Sequence, residues 1–203
     1  MLRLNKAFLV ILSIAAAPVI SACGDGVDDR GGSGDEAQIS EVIETALLST
    51  DPADCTKLQT QRFVEQITFM SGEEAVVRCE SNAADTLGNP DSVEVSKVEV
   101  DGTSGTADVA VVGSTFDGSI LALGLVKEGD QWKVDEISGI PEFDFEGFQA
   151  AFSEQLAREN PPEATACITD AFAAAGAAAV KAALISGDQA QLTALVRQCA
   201  GGG

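Results

Sequence analysis

The fold is decided by residues 92–137, which read SVEVSKVEVDGTSGTADVAVVGSTFDGSILALGLVKEGDQWKVDEI. Apolar and polar residues alternate over 92–100, 106–113 and 131–137, whereas 119–127 is apolar in both phases. Alternation predicts strands that are buried on one face, and an apolar run without alternation is typical of a strand covered on both faces. Asp-Gly, Phe-Asp-Gly and Glu-Gly-Asp sequences separate the four runs and favour tight turns. The stretch therefore predicts a four-stranded antiparallel meander.

The first strand changes phase in its middle. Val93 and Val95 share one face of an extended chain. Val98 and Val100 follow in the opposite phase, which a single inserted residue would correct. We therefore predict a β-bulge at Ser96-Lys97, where the strand also bends.

Helical spacing precedes the sheet. Asp35 is a candidate N-cap for an amphipathic helix that stops at Asp51-Pro52. Three short helices are predicted over 54–58, 60–69 and 72–82. Their expected inward side chains are Phe63, Ile67, Phe69, Ala75, Val76 and Cys79. Helices followed by an antiparallel meander predict an α+β fold with helices packed on a four-stranded sheet.

Residues 139–203 are rich in Ala and predict an all-α C-terminal extension. Helices are expected between residues 144 and 158 and from Glu163 onward, with a proline break between them. Asp170 and Lys181 interrupt the apolar run, so we expect a packed helical unit rather than a membrane span.

The cysteines predict two disulfides. Four remain besides Cys23, an even number that is typical of exported chains, and they allow three connectivities. We predict the two local pairs, Cys55–Cys79 and Cys167–Cys199. If residues 163–186 formed one straight helix, a rise of ~1.5 Å per residue would place Cys167 about 12 Å farther from the following turn than Cys199. This difference exceeds the ~7 Å limit on the Cα–Cα distance in a disulfide. We therefore expect the helix to break at Gly176.

The N-terminus has the pattern of an export signal. Arg3 and Lys6 precede an uncharged apolar run over 7–20, which at ~1.5 Å per residue is too short for the ~30 Å hydrocarbon core. Ile20-Ser21-Ala22-Cys23 then resembles the lipobox of bacterial lipoproteins. The resemblance implies cleavage of residues 1–22 and lipid attachment to Cys23. An ordinary secretory signal, with Cys23 destined for a disulfide, is the alternative.

Residues 23–35 follow as an acylated cysteine and a Gly- and Asp-rich sequence that predicts a flexible tether. Asp25, Asp28 and Asp29 lie in it, but their spacing lacks the Asp-x-Asp-x-Asp-Gly pattern of a calcium loop. The sequence therefore predicts no metal site and no cofactor here.

Charge and composition exclude several classes of function. Without Arg3 and Lys6 the chain carries 10 basic and 32 acidic residues, a net charge of −22. Such a surface repels phosphates, so nucleic acid is not expected as a partner. The chain has no His and no Tyr, which excludes His-dependent nucleophilic catalysis and imidazole metal sites.

A second resemblance covers residues 36–138. The opening helix, the bulged strand and the final hairpin, with VKEGDQWKV at 126–134, look like the nuclear-transport-factor-2-like fold. The resemblance implies cone-like helices packed on a curved antiparallel sheet around an apolar cavity. Different members use this cavity for ligand binding, dimerisation or enzymes acting on small apolar molecules. The catalytic Tyr and His that several enzymatic members use do not occur here, so no catalytic residue is carried over.

Carboxylates are the candidate catalytic groups that remain. Glu73-Glu74, the nearby Glu142 and Asp144, and Asp28-Asp29 lie in polar contexts typical of a solvated surface. Asp108 and Asp117 lie on or beside strands, where an apolar surrounding would raise the carboxyl pKa and favour acid–base work. Asp108 is out of phase with Val109, however, so we expect it to face water. We expect Trp132 in the core.

These features lead to one leading hypothesis and two rivals. The leading one is a non-enzymatic, lipid-anchored binding or interaction module on the extracytoplasmic face of a bacterial membrane, whose partner is an apolar small ligand or an envelope protein. One rival is an isomerase, dehydratase or hydrolase that uses a carboxylate in the cavity. The other is an accessory subunit of a cell-envelope transport complex that makes contact through its C-terminal helices.

Overall fold

The computed structural model describes residues 32–84 and 90–187, together with residues 190, 191, 194 and 199. The helices are α1 (Gly32–Leu48), α2 (Asp54–Lys57), α3 (Gln61–Thr68), α4 (Glu73–Ala84), α5 (Phe145–Glu159) and α6 (Pro162–Ser186). The strands are β1 (Ser92–Asp101), β2 (Ser104–Val112), β3 (Ile120–Glu128) and β4 (Gln131–Glu142). The strands form one sheet in the order β1-β2-β3-β4, and each neighbouring pair is antiparallel. The predicted α+β class and the four-stranded meander are confirmed.

The predicted bulge in β1 is also confirmed. The pairing of β1 with β2 runs regularly to Ser96 opposite Asp108 and resumes with Glu99 opposite Thr106, so two residues of β1 oppose one of β2. Lys97 has φ 49° at this point. Its ammonium group lies 2.7 Å from the Asp108 carboxylate, which fixes the bulged residue to the partner strand.

Helix α1 begins earlier than the sequence predicts. It includes Gly32–Leu48, so the last part of the predicted 23–35 tether is helical, and Asp35 lies in the first turn rather than at the N-cap. The Asp35 carboxylate accepts hydrogen bonds from Lys127 Nζ at 2.7 Å and from Trp132 Nε1 at 3.0 Å. These contacts with β3 and β4 are long-range in sequence, and the sequence pattern does not indicate them.

The core brings the C-terminal helices and the sheet together. Ile39 and Ile43 of α1 belong to the same buried apolar cluster as Leu123 of β3, and Phe148 of α5 and Leu184 of α6 belong to it as well. The described residues form part of one compact unit. The buried cluster therefore includes residues from both sides of the predicted boundary between a 36–138 domain and a 139–203 extension. Residues 139–142 form the end of β4. Helix α6 packs against β4 and α5 packs against α6.

A second, smaller cluster lies between α2, α3 and α4. It contains Cys55, Val64, Ala75, Cys79 and Ala83. The predicted inward positions of Phe63, Ala75 and Cys79 are confirmed, and Val76 is partly buried. Ile67 and Phe69 were predicted inward as well, but each is 38% exposed. Helix α3 ends at Thr68 and Phe69 adopts the left-handed conformation, φ 54° and ψ 32°, which turns the chain away from the cluster.

Both local disulfides are present. Cys55 and Cys79 join α2 to α4 with a Cα–Cα distance of 6.1 Å, and Cys167 and Cys199 are joined with a Cα–Cα distance of 5.6 Å. Helix α6 is interrupted at Gly176, which has φ 77° and ψ 163°. The predicted break is thus confirmed at the predicted residue. Most of the helix expected over 189–199 lies outside the described residues.

One helix among the described residues, α6, is long and apolar enough to cross a membrane by length and composition. Its interruption at Gly176 divides it into two shorter pieces. Phe172, Val180, Ala183 and Leu184 of α6 are buried in the protein core. The expectation of a packed helical unit agrees with this burial.

The break in α6 supports a stability prediction. The backbone angles of Gly176 lie in a region that is essentially restricted to glycine, so we expect Gly176→Ala to lower the free energy of unfolding by about 1–3 kcal/mol. No atom lies within 4 Å of the position that a Cβ would take, so the loss would come from backbone conformation alone. Chemical denaturation measures the change. Gly34→Ala is the control, because that site is equally open and has no positive φ. An unchanged stability of Gly176→Ala would contradict the break.

Candidate binding site

The inner face of the sheet is filled. Trp132, Leu123 and Val109 at its centre are at most 2% exposed, and Ile39 of α1 is fully buried against them. A methyl group added to Gly105 of β2 would lie 2.6 Å from Ile39 Cδ1, closer than packed carbon atoms approach. The apolar cavity that the fold resemblance implies is thus occupied by the protein's own side chains at this position.

The strand carboxylates do not lie in an apolar cavity. Asp108 is paired with Lys97 on the outer face of the sheet, as its phase predicts, and this contact raises the pKa of Lys97. Asp117 is exposed in the β2–β3 connection. Asp144 accepts a hydrogen bond from Gly147 N at 3.0 Å and caps α5.

The other acidic candidates are on the surface or beyond the described residues. Glu73, Glu74 and Glu142 are exposed. Asp25, Asp28, Asp29 and the lipidation candidate Cys23 lie outside the described residues. None of the described acidic candidates therefore has the buried surroundings that acid–base catalysis favours.

Trp132 is in the core, as expected, and its indole N–H is satisfied. Two hydrogen bonds hold the pKa of the Asp35 carboxyl below its usual value, and the one from Lys127 has a larger effect than the one from Trp132. Lys127 Nζ also lies 5.4 Å from the centroid of the Trp132 ring, within cation–π range. These three side chains fix the first turn of α1 to the sheet, and we assign them a structural role.

A cavity of about 360 Å³ lies between α5 and α6. Its lining combines hydroxyl, amide and carboxylate groups with small apolar side chains. The lining residues are Ser153, Ala157, Asn160, Pro162, Thr165, Ala166, Thr169 and Asp170. Pro162 begins α6, so the first two turns of that helix form one wall and the last two turns of α5 form the other.

Among the residues that line this cavity, Thr165 is the buried one. The residue is 7% exposed, and its Oγ1 is the one buried side-chain polar atom without a hydrogen-bond partner among the described residues. Leaving a buried hydroxyl unsatisfied costs about 1–3 kcal/mol. The oxygen is inaccessible from the cavity, so we assign it no binding role.

The neighbouring polar groups of the cavity are ordered by the helices. Thr169 Oγ1 lies 3.0 Å from Thr165 O and 3.2 Å from Ser153 Oγ, so it links α6 to α5. Asn160 Nδ2 donates to Leu156 O at 3.1 Å, which leaves the amide oxygen as an acceptor. The arrangement offers several hydrogen-bonding groups but only one titratable group, Asp170, among the residues that line the cavity. It is therefore suited to binding rather than to general acid–base chemistry, which needs paired or perturbed groups.

A smaller cavity of about 160 Å³ lies where α3 meets the C-terminal end of α6. Its lining includes Arg62, Glu65, Gln66, Ser186 and Gly187. Arg62 forms ion pairs with Asp135 and Glu136, and Gln66 is fully occupied by backbone partners. Its polar groups hold α3 against β4 and α6.

The sequence contains no signal for the α5–α6 cavity. Ser, Thr and Asn within Ala-rich helices carry no recognisable motif, and which hydroxyls converge depends on how the two helices pack. The candidate groups therefore emerge only from the structure.

The chain matches no protein-family model, no curated protein and no solved structure.

Proposed function

We propose that this protein is a lipid-anchored binding module on the extracytoplasmic face of a bacterial membrane. Cys23 carries the lipid, and the folded region from α1 onward is the binding part. The observation that supports binding most strongly is the α5–α6 cavity, which presents hydroxyl, amide and carboxylate side chains beside small apolar ones. The partner of the proposed module is a small ligand in that cavity.

Three sequence features support the location. Ile20-Ser21-Ala22-Cys23 follows a positively charged start and a short apolar run. Two local disulfides are typical of proteins exported to an oxidising compartment. The strong negative charge opposes electrostatic attraction to anionic lipid headgroups, so membrane attachment requires the acyl chains.

We also propose membership of the nuclear-transport-factor-2-like fold for the sheet and the four helices before it. The order of helices and the bulged first strand support the proposal. The burial of Trp132 under α1 supports it as well. The C-terminal helices α5 and α6 would then be an addition that this chain packs onto the same sheet.

The enzymatic rival receives less support than binding does. Asp108 is paired with Lys97 and Asp117 faces solvent, so neither has the apolar surroundings that would raise its pKa. The accessory-subunit hypothesis stays a prediction.

Replacing the lipidated residue tests the proposed anchor. We expect the wild-type protein in the membrane fraction. Cys23→Ala should appear either in the soluble fraction or as the uncleaved precursor, because no thiol is left to accept the diacylglycerol group. Cell fractionation with immunoblotting separates these cases, since the precursor retains residues 1–22 and is larger. Ser21→Ala is the control, because it keeps a small residue next to the cleavage site. A Cys23→Ala protein that is processed and still bound to the membrane contradicts the proposal.

A further inference from the structure

We propose that the outer face of the sheet, the side opposite α1, is a docking surface for a basic amphipathic helix of a partner protein. The inference goes beyond the proposed small-ligand function. It uses no residue of the α5–α6 cavity, so the two proposals can fail separately.

The outer face has an apolar floor. Alternation along β2 and β3 buries one set of side chains in the core and places the other set on this face. The apolar members of the outer set are Ala110, Val112, Ile120, Ala122 and Val126. None of the five belongs to either buried apolar cluster, and Val112 is 51% exposed. The floor is therefore open to a partner.

Glutamates lie on both sides of this floor. One row of paired residues crosses the four strands as Glu94, Ala110, Ile120 and Glu142. A second row crosses them as Glu99, Thr106, Gly124 and Glu136. Each row thus begins and ends with a glutamate, one on β1 and one on β4. The outer strands of a four-stranded sheet are about 14 Å apart, three spacings of ~4.8 Å.

The position of Glu142 is supported by electrostatics. The pKa of Lys97 is raised by Asp108 and, to a smaller extent, by Glu142, so both carboxylates act on the Lys97 ammonium group. Lys97 is paired with Asp108, which neutralises the carboxylate in the middle of the floor.

Three of the four glutamates are available to a partner. Glu136 is paired with Arg62. The ion pairs of the described residues do not include Glu94, Glu99 or Glu142, and these three are exposed. The face therefore combines a neutral apolar floor with negative charge on both sides.

This arrangement favours a helix with a particular charge pattern. One metal ion cannot bind glutamates that are about 14 Å apart, whereas a helix with its side chains is about 10–12 Å across and fits between them. An apolar stripe would pack on the floor, and Lys or Arg on each side of the stripe would reach the glutamates. A second copy of this chain fits poorly, because it would bring the same carboxylates against one another.

The test uses a synthetic helix of about 18 residues, about five turns, with an Ala- and Leu-containing stripe and Lys on both sides of it. Fluorescence anisotropy of the labelled peptide measures binding to the full chain in a nonionic detergent, with the detergent alone as the blank. We expect binding at micromolar concentration that weakens at high salt, because exposed charges are screened. A peptide of the same composition without the stripe, and one with Glu in place of Lys, should each bind at least about tenfold more weakly.

Variants connect the binding to the outer face. The triple variant Glu94→Gln, Glu99→Gln and Glu142→Gln should weaken binding about fivefold or more, since three exposed charge pairs are lost. All three positions are exposed, so we expect this variant to fold.

The matched control removes three exposed carboxylates from α1 and α4, as Glu41→Gln, Glu73→Gln and Glu74→Gln, and should leave the affinity nearly unchanged. Ala110→Lys places a cation in the floor and should weaken binding at least about tenfold. Circular dichroism checks its folding, and the triple variants decide the matter if it does not fold.

Four results would overturn the proposal. One is the absence of binding by the striped Lys peptide at millimolar concentration. Another is equal binding by the peptide without the stripe. The third is an equal effect of the two triple variants. The fourth is a dimer in sedimentation experiments that Ala110→Lys abolishes, which would make a second copy the occupant of this face.

Discussion

Replacing Phe148 by Ala should lower the free energy of unfolding by about 3–5 kcal/mol, the range for removing a buried phenyl ring. Phe148 is 3% exposed and lies at the centre of an aromatic cluster. Its ring centroid is 5.4–6.5 Å from the centroids of four other phenyl rings, those of Phe116, Phe143, Phe152 and Phe172. The truncation therefore removes contacts that join the β2–β3 connection, the end of β4 and both C-terminal helices.

Denaturation monitored by circular dichroism and by Trp132 fluorescence measures this change. Because α5 and α6 share one core with the sheet, both probes should report a single transition at the same midpoint. Phe69→Ala is the control, since that ring is 38% exposed and its loss should cost much less. Two separate transitions in the wild-type protein would mean that the C-terminal helices fold independently, and our description of one core would be wrong.

Replacing Gln66 by Leu should destabilise the protein by about 3 kcal/mol or more, because it leaves several buried backbone groups without partners at about 1–3 kcal/mol each. Gln66 is 6% exposed. Its Oε1 accepts from Ile137 N at 2.7 Å, and its Nε2 lies 3.0 Å from Ile137 O. The same nitrogen lies 3.0 Å from Leu184 O and 2.9 Å from Ile185 O.

The geometry also predicts which backbone amides lose protection in this variant. Leu184 and Ile185 belong to the last turn of α6, whose carbonyls have no partner within the helix. Gln66 thus caps α6 from α3, and its loss should increase hydrogen exchange at the end of α6 and at Ile137. Gln61→Leu on the same helix is the matched control, because Gln61 is exposed and its side chain bonds to Glu65 on the same helix. Equal stability losses in the two variants would contradict the assigned role of Gln66.

The sequence predicted the elements whose cause is local. The period-two alternation of β2 predicts a strand because one face packs on α1 while the other meets solvent. The change of phase after Val95 predicts the bulge for the same reason. The break at Gly176 was predictable because a straight helix and the Cys167–Cys199 pair are incompatible in length.

The features that sequence reasoning missed depend on contacts between distant residues. The sequence predicts Asp35 as an N-cap, because its hydrogen bonds with Lys127 and Trp132 are visible only in the structure. The shared core of the C-terminal helices and the sheet was not predicted, because nothing in the spacing of Phe148 indicates what its ring packs against. The α5–α6 cavity becomes a candidate site only when the packing of the two helices is visible in three dimensions.

The central claim is that a lipid on Cys23 holds this binding module at the membrane, and the N-terminal peptide tests it most directly. Tryptic digestion of the membrane-extracted protein should yield a peptide that begins at Cys23 and ends at Arg30, the next basic residue. Mass spectrometry should find this peptide with the added mass of a diacylglycerol group, and with a further acyl chain where the amino group is acylated. A peptide that begins at Cys23 without lipid, or a mature protein that begins at another residue, would contradict the account.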